Sequence, residues 1–179
     1  FFGNNESLLL VEGDIDKEYF ELLRKDIHGH NGLKFNGIIF DYGGFGALTR
    51  PEILKLIKNR SKSAFITFDL DNESIVKPVL EKNGLFNKKD FLALGINKAA
   101  KRAIEGLLPE KIINTVNSEN SEIVQQAMYG TKDEQKSAKG KLKKLYLDRF
   151  KQESKPNQEY YGELYKVVRV INKALGAEE

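Results

Sequence analysis

Acidic residues stand directly after the apolar runs in the first half of the chain, where carboxylate chemistry is easiest to build. The groups are Glu12 with Asp14 and Asp16, then Asp41, then Asp69 and Asp71 followed by Glu73. Side chains two apart on an extended chain point to the same side, so Asp69 and Asp71 can converge on one point. Gathered carboxylates repel one another, and a divalent cation removes that repulsion. All-oxygen ligands suit Mg²⁺ or Mn²⁺, and two such ions ~4 Å apart support phosphodiester hydrolysis. The simpler interpretation of a lone Asp after a strand, which applies to Asp14 and Asp41, is a turn former or helix cap.

The elements that must position these carboxylates alternate between strand and helix. The predicted strands are Ser7–Val11, Phe35–Phe40, Ser63–Phe68 and Phe91–Leu94. Such alternation is typical of a parallel sheet with helices on its faces, and functional groups collect beyond the carboxyl ends of its strands. We therefore expect residues 1–97 to form an α/β core, a Rossmann-like parallel sheet of about four strands flanked by helices.

After about Asn97 the pattern becomes helical. The predicted helices are Lys98–Leu108, Ser121–Met128, Asp133–Gln152 and Glu159–Leu175. Pro109, Gly130 and Pro156 separate them, as helix-breaking residues do. Residues 98–179 are therefore expected to form a helical C-terminal extension.

Composition excludes several classes of site and protein. The 179 residues include no cysteine and only two histidines, which excludes disulfides, thiolate zinc sites and a cysteine nucleophile. A chain without cysteine fits a reducing cytoplasm, so we expect a cytoplasmic protein. No apolar run approaches the ~18–20 residues that span a bilayer. The sequence begins with Phe1 and its one methionine is Met128, so we expect it to be part of a longer protein.

Positive charge is concentrated late in the chain. The net charge is only +3, but residues 130–155 hold nine Lys and Arg against four Asp and Glu. Lysines there can contact a phosphate backbone independently of sequence, and Lys136, Lys143 and Lys144 are the candidates for nucleic-acid binding. Tyr146 and Phe150 are interleaved with them. The alternative is a solvated helix whose apolar side includes both aromatic residues.

Three motifs, in this order and each after a predicted strand, resemble those of Toprim domains. Residues 8–20 (LLLVEGDIDKEYF) resemble the opening motif, residues 41–46 (DYGGFG) the glycine-rich turn, and residues 68–71 (FDLD) the Asp-x-Asp motif. Within that superfamily the chain is most similar to the C-terminal Toprim domain of the OLD (overcoming lysogenisation defect) ATP-dependent nucleases. Residues 103–109 (AIEGLLP) and the late basic segment resemble that family more loosely.

The resemblance implies a metal-dependent endonuclease that hydrolyses DNA phosphodiester bonds with two Mg²⁺ or Mn²⁺ ions. The implied metal ligands are Glu12, Asp16, Asp69 and Asp71, with Glu73 or Glu105 assisting. Glu12 could instead act as a general acid or base. Lys139 or Lys141 would stabilise charge on the phosphate, and the sequence does not choose between them. Family members carry an ATPase domain in the same chain, which is the expected partner besides DNA, and the parent protein could form homo-oligomers.

Three alternatives remain open at this point. The domain could be a non-catalytic binding or assembly module, or a nuclease that processes RNA. Residues 66–73 also resemble the Asp-x-Asp-x-Thr motif of haloacid-dehalogenase phosphatases, in which the first Asp is a nucleophile. Glu73 occupies the place of the Thr in that motif, and no later pair of aspartates follows near a predicted strand end, so this last interpretation is the weakest.

Overall fold

A parallel sheet forms the first part of the chain in the computed structural model, which describes residues 6–60 and 63–177. Its strands are β1 (Ser7–Val11), β2 (Gly37–Asp41), β3 (Ser63–Asp69) and β4 (Phe91–Leu94). The order across the sheet is β2-β1-β3-β4, and all three pairings are parallel. The predicted α/β class is thus confirmed, and the carboxyl ends of the strands share one edge.

Helices flank this sheet and bury its apolar strands. They are α1 (Asp14–Leu23), α2 (Pro51–Arg60), α3 (Glu73–Lys82) and the last helix of the chain (Gly162–Ala174). All five residues of β1 are buried, as expected for a central strand covered on both faces. Phe20 of α1 and Phe65 of β3 are both fully buried in this unit. Burial of a large apolar side chain contributes about 1.5–3 kcal/mol.

The second strand is displaced from its predicted position. It was expected at Phe35–Phe40 and runs instead over Gly37–Asp41. Its register pairs Ser7 with Gly37 and Val11 with Asp41, so Asp41 is the last residue of the strand rather than the first of the loop.

The prediction of a helix over Lys98–Leu108 is wrong. This segment is an irregular loop in which Ala100 has a φ of +60°, followed by a short 3-10 helix, Ile104–Leu107. The amide of Ile96 donates to the carbonyl of Lys101 at 2.6 Å, and the Arg102 side chain turns back to the end of β3. The contact of Arg102 with Leu70 joins residues 32 positions apart, and such tertiary contacts override the local helix propensity. The first regular helix after β4 is α4 (Glu110–Glu119), which begins after Pro109 and was not predicted.

The chain divides into two compact units, which differ from the division expected at residue 97. Unit 1 comprises residues 1–106 and 165–179, and unit 2 comprises residues 107–164. Unit 2 contains α4, α5 (Ser121–Tyr129) and α6 (Lys132–Glu153), with α5 and α4 both packed on α6. The last helix, α7 (Gly162–Ala174), lies for the most part in unit 1. Asn172 donates to the carbonyl of Gly32 at 2.9 Å and accepts from the amide of Lys34 at 3.0 Å.

No helix among the described residues is both long and apolar enough to cross a membrane.

Candidate functional site

Glu12 and Asp69 meet at the carboxyl edge of the sheet because β1 and β3 are neighbours. The backbone amide of Asp69 donates to Oε2 of Glu12 at 3.0 Å. The side-chain amide of Asn72 donates to Oε1 of Glu12 at 3.1 Å and lies 3.3 Å from Oε2. Residues about 60 positions apart in sequence therefore fix the orientation of the Glu12 carboxylate.

Three of the predicted carboxylates act electrostatically on the buried Tyr42. Its hydroxyl donates to the carbonyl of Thr67 at 2.7 Å. Burial raises the pKa of the Tyr42 hydroxyl above its usual value, and the negative charges of Glu12, Asp16 and Asp69 raise it further. All three carboxylates therefore lie close enough to influence a single hydroxyl. Of the predicted metal ligands, the structure shows a direct contact between Glu12 and the backbone of Asp69, and Asp16 is linked to them through its effect on Tyr42.

The glycine-rich turn after β2 lies against the end of β1. The amide of Tyr42 donates to the carbonyl of Val11 at 3.0 Å, and the amide of Gly44 donates to the carbonyl of Glu12 at 2.9 Å. Gly43 and Gly44 have φ values of +72° and +101°, which side-chain-bearing residues rarely adopt. These glycines therefore let the chain turn close beside Glu12 and hold Tyr42 over the carboxylates.

The first turn of α1 separates two acidic residues that the sequence leaves equivalent. Gly13 precedes the helix with extended backbone, and Asp14 and Asp16 both lie in the first turn. Asp16 is 4% exposed. Asp14 is exposed, and its Oδ1 accepts from the amide of Ile15 at 2.8 Å. The N-cap of α1 is Gly13, so Asp14 is an exposed first-turn residue rather than the predicted helix cap, whereas Asp16 is buried.

The contacts of Asp71 differ from those of the other carboxylates. Its side chain is 67% exposed and forms an ion pair with Arg102, with Nε 3.1 Å from Oδ1. Nη2 of Arg102 also donates to the carbonyl of Leu70 at 3.0 Å, and the amide of Asp71 donates to the carbonyl of Arg102 at 3.1 Å. Arg102 thereby holds the short 3-10 turn Leu70–Asn72, which carries Asn72 to Glu12.

The two assisting carboxylates have different surroundings. Glu73 begins α3 and lies 3.8 Å from the ammonium group of Lys77, one turn further along. Glu105 is 7% exposed and lies in the 3-10 helix Ile104–Leu107. These positions do not show a contact of Glu73 or Glu105 with Glu12 or Asp69. A role of either residue in a metal site therefore stays a prediction.

The predicted basic residues lie on α6, in unit 2. Lys136, Lys139, Lys141 and Lys144 are exposed, and Lys143 is half-buried. The two aromatic residues interleaved with them are not available for stacking. Phe150 is fully buried against Tyr161, with ring centroids 4.8 Å apart, and the hydroxyl of Tyr146 donates to Asn117 at 2.6 Å. The apolar-side interpretation is therefore confirmed for Phe150, and Tyr146 is half-buried.

The carboxylate group at the sheet edge suits a divalent cation by chemistry, although no metal cage is preformed. Among residues 6–60 and 63–177, no three His, Asp or Glu side chains stand in an arrangement that could already hold a metal ion. Asp69 is buried and its amide contacts Glu12, and Asp16 is buried in the first turn of α1. An all-oxygen set of this kind matches the preference of Mg²⁺ and Mn²⁺.

Three residues of the site were missed by sequence reasoning as site residues. Tyr42 is inside the glycine-rich motif, and Asn72 directly follows the Asp-x-Asp pair, so their positions were a usable signal. Arg102 lies 31 residues from Asp71 in a segment expected to be helical, and no local pattern indicates it.

Comparisons of the chain with protein-family models, with curated proteins and with solved structures give no match. The function of the chain is therefore inferred from its own residues and geometry.

Proposed function

We propose that the chain is a metal-dependent nuclease domain that hydrolyses DNA phosphodiester bonds. One observation carries the proposal: at the carboxyl edge of a parallel sheet, Glu12 accepts a hydrogen bond from the Asp69 amide, near the buried Tyr42 on which Glu12, Asp16 and Asp69 all act electrostatically. Ligands of α/β proteins bind at this edge. Acidic side chains in such a cluster serve to hold cations rather than to bind an anionic substrate directly.

The residues that would hold Mg²⁺ or Mn²⁺ are Glu12, Asp16 and Asp69. When bound, a divalent ion neutralises phosphate oxygens and lowers the pKa of a coordinated water. The Asp69 amide and Asn72 fix the Glu12 carboxylate, as the supporting hydrogen bonds of metal ligands commonly do. Asp71 and Glu73 follow on the same edge, paired in this structure with Arg102 and Lys77.

Tyr42 favours hydrolysis over transfer of DNA to a tyrosine. A tyrosine nucleophile must lose its proton, and both burial and the surrounding negative charges raise the pKa of the Tyr42 hydroxyl. The hydroxyl also donates to the Thr67 carbonyl, which holds it in place. Tyr42 therefore positions the edge of the sheet, and water is the expected attacking group.

The test is cleavage of supercoiled plasmid by the purified chain with Mg²⁺, Mn²⁺, Ca²⁺ or EDTA. We expect nicking or linearisation that requires Mg²⁺ or Mn²⁺ and is lost in Glu12→Gln and Asp69→Asn. Asp14→Asn is the matched control because Asp14 is an exposed carboxylate on the same helix as Asp16. Cleavage that persists in EDTA, or in both site variants, would contradict the proposal. A single-stranded RNA substrate run in parallel tests the RNA-processing alternative.

A second candidate, a non-catalytic binding or assembly module, is favoured by the hydrogen bonds within the site. Glu12 is already held by Asp69 and Asn72, and Asp71 by Arg102, as in a purely structural network. A folded chain that neither cleaves DNA nor binds Mn²⁺ in calorimetry would establish this alternative. Mn²⁺ binding without cleavage would retain the metal site and exclude activity of this chain alone.

A further inference from the structure

The turn between α5 and α6 presents two large apolar side chains to solvent. Tyr129 is 79% exposed and Met128 is 59% exposed at the end of α5. Two large apolar side chains exposed at one turn offer a contact surface to a ligand.

The turn that carries them is rigidly built. Thr131 and Glu134 form a reciprocal capping box: the Thr131 amide donates to Glu134 Oε2 at 2.7 Å, and the Glu134 amide donates to Thr131 Oγ1 at 3.4 Å. The side-chain amide of Gln135 donates to the Gly130 carbonyl at 2.9 Å. A side chain at Gly130 would meet the Gln126 carbonyl oxygen at 2.6 Å, so only glycine fits this turn. Tyr129 is therefore held outward by a fixed backbone.

A row of lysines begins immediately after the turn. Four of them follow one another at intervals of four, three and four residues, which places them on one face of α6. This lysine stripe consists of Lys132, Lys136, Lys139 and Lys143. At 1.5 Å per residue it extends about 16 Å from the turn. The first three are exposed, and none of the ion pairs among the described residues involves them.

The cations near the other end of unit 2 are used differently. Arg149 forms ion pairs with Glu119 and Glu153, and Lys111 lies 3.8 Å from Glu153. Those charges are matched within the unit. Lys132, Lys136 and Lys139, which follow Tyr129 in the first half of α6, take part in none of these ion pairs.

We propose that Tyr129 and the lysine stripe form a docking surface for single-stranded nucleic acid, with a base stacked on Tyr129 and phosphates along the stripe. Every base has a π face, and single-strand binding surfaces combine exposed aromatic rings with a basic track. Met128 adds apolar contact beside the ring, and the fixed turn lowers the entropic cost of binding. A protein partner would need apolar area, and the row of positive charges instead complements a phosphate backbone.

This inference names the form of nucleic acid that the proposed nuclease takes and rests on that function. It is tested separately by measuring binding in EDTA, where cleavage does not occur. Because the chain contains no tryptophan, a Tyr129→Trp variant reports from this one position. We expect its fluorescence to be quenched by a single-stranded oligonucleotide. Phe86→Trp is the matched control, since Phe86 is a 59% exposed aromatic residue of unit 1, and it should not respond.

Two further variants separate stacking from charge. Tyr129→Ala should raise the Kd for the oligonucleotide about tenfold, while Tyr129→Phe retains binding, because stacking requires the ring and not the hydroxyl. Lys132→Ala with Lys136→Ala should lower the slope of log K against log salt by about 1.4, the value for two single-strand phosphate contacts. Lys155→Ala, an exposed lysine of unit 2 beyond the stripe, is the control for charge alone.

Three outcomes would overturn the proposal. The first is a Tyr129→Ala variant that binds the oligonucleotide as the unchanged chain does. The second is equal quenching of the Tyr129→Trp and Phe86→Trp variants, which indicates non-specific association. The third is a dimer that Tyr129→Ala converts to a monomer with no change in oligonucleotide binding, which would make the turn a protein interface. None of these outcomes bears on cleavage, so the nuclease proposal can survive them.

Discussion

The two units position their candidate functional residues by different kinds of contact, long-range in unit 1 and local in unit 2. In unit 1 the carboxylate edge is assembled from residues far apart in sequence, as in the Asp69 amide bond to Glu12 across 57 positions. In unit 2 the turn and the lysine stripe are set by residues three to five positions apart. Groups that must converge on one point need a sheet edge, whereas a surface that only presents charge and a ring needs one helix and its cap.

The largest expected effect on cleavage comes from changing one of the carboxylates at the edge of the sheet. Glu12→Gln keeps the shape of the side chain and removes one charge from the carboxylate group. We expect single-turnover cleavage to fall about a thousandfold or more, since metal-dependent catalysis depends on every ligand of a small set. Lys136→Ala should weaken DNA binding only a few-fold, because phosphate contacts along a stripe are individually small. Equal effects of the two changes would contradict the contrast between the units.

An intermediate effect on cleavage is expected from changing Arg102, whose contacts join segments far apart in sequence. Arg102→Ala removes the ion pair with Asp71 and the hydrogen bond to the Leu70 carbonyl, so the turn that carries Asn72 to Glu12 loosens. We expect cleavage at saturating metal to fall about tenfold, the order of one charged hydrogen bond. Arg102→Lys should recover only part of this loss, since lysine cannot reproduce the forked contact. Unchanged cleavage in Arg102→Ala would show that Asp71 and its turn are not part of the site.

The capping box tests the local contacts of unit 2. Thr131→Ala removes the side chain that caps α6, and we expect a loss of about 1 kcal/mol in the free energy of unfolding, measured with urea. Thr131→Ser retains the hydroxyl and is the control. The same change should weaken the oligonucleotide response at position 129, because the turn is no longer fixed. A stable Thr131→Ala variant with full binding would show that the turn is not preorganised.

The smallest expected effect is a pH dependence of unit 1. His28 is buried, with Nε2 donating to the Leu22 carbonyl at 3.0 Å and Nδ1 accepting from the Tyr165 hydroxyl at 2.8 Å. Burial lowers the pKa of His28 below its usual 6.5, so the unfolded chain binds a proton first as the pH falls. We expect the free energy of unfolding to decrease as the pH falls below about 6.5. Above that pH, His28 should make no contribution to the pH dependence of stability. His28→Gln should flatten that slope in urea unfolding measured across this pH range, whereas exposed His30→Gln should leave it in place.

Some features of the fold and of the candidate site could be predicted from the sequence, and others could not. The strand runs and the acidic residues after them predicted the parallel sheet and the positions of Glu12 and Asp69, because hydrophobic runs and turn residues are local signals. The excess of lysine late in the chain likewise predicted a basic α6, although not which of its lysines share a face. The helix expected over Lys98–Leu108 did not form, since Arg102 is committed to the end of β3 by contacts that no local pattern encodes.

The sequence by itself determined which residue types stand at the ends of the strands and along α6. Only the tertiary structure decided which of them act together. The order β2-β1-β3-β4 places Glu12 beside Asp69, the start of α1 buries Asp16 and exposes Asp14, and packing buries Phe150 while Tyr129 stays in solvent. Spacing along a chain fixes the direction of neighbouring side chains, but convergence of distant ones depends on which strands pair, and that is set by the packing of the whole unit.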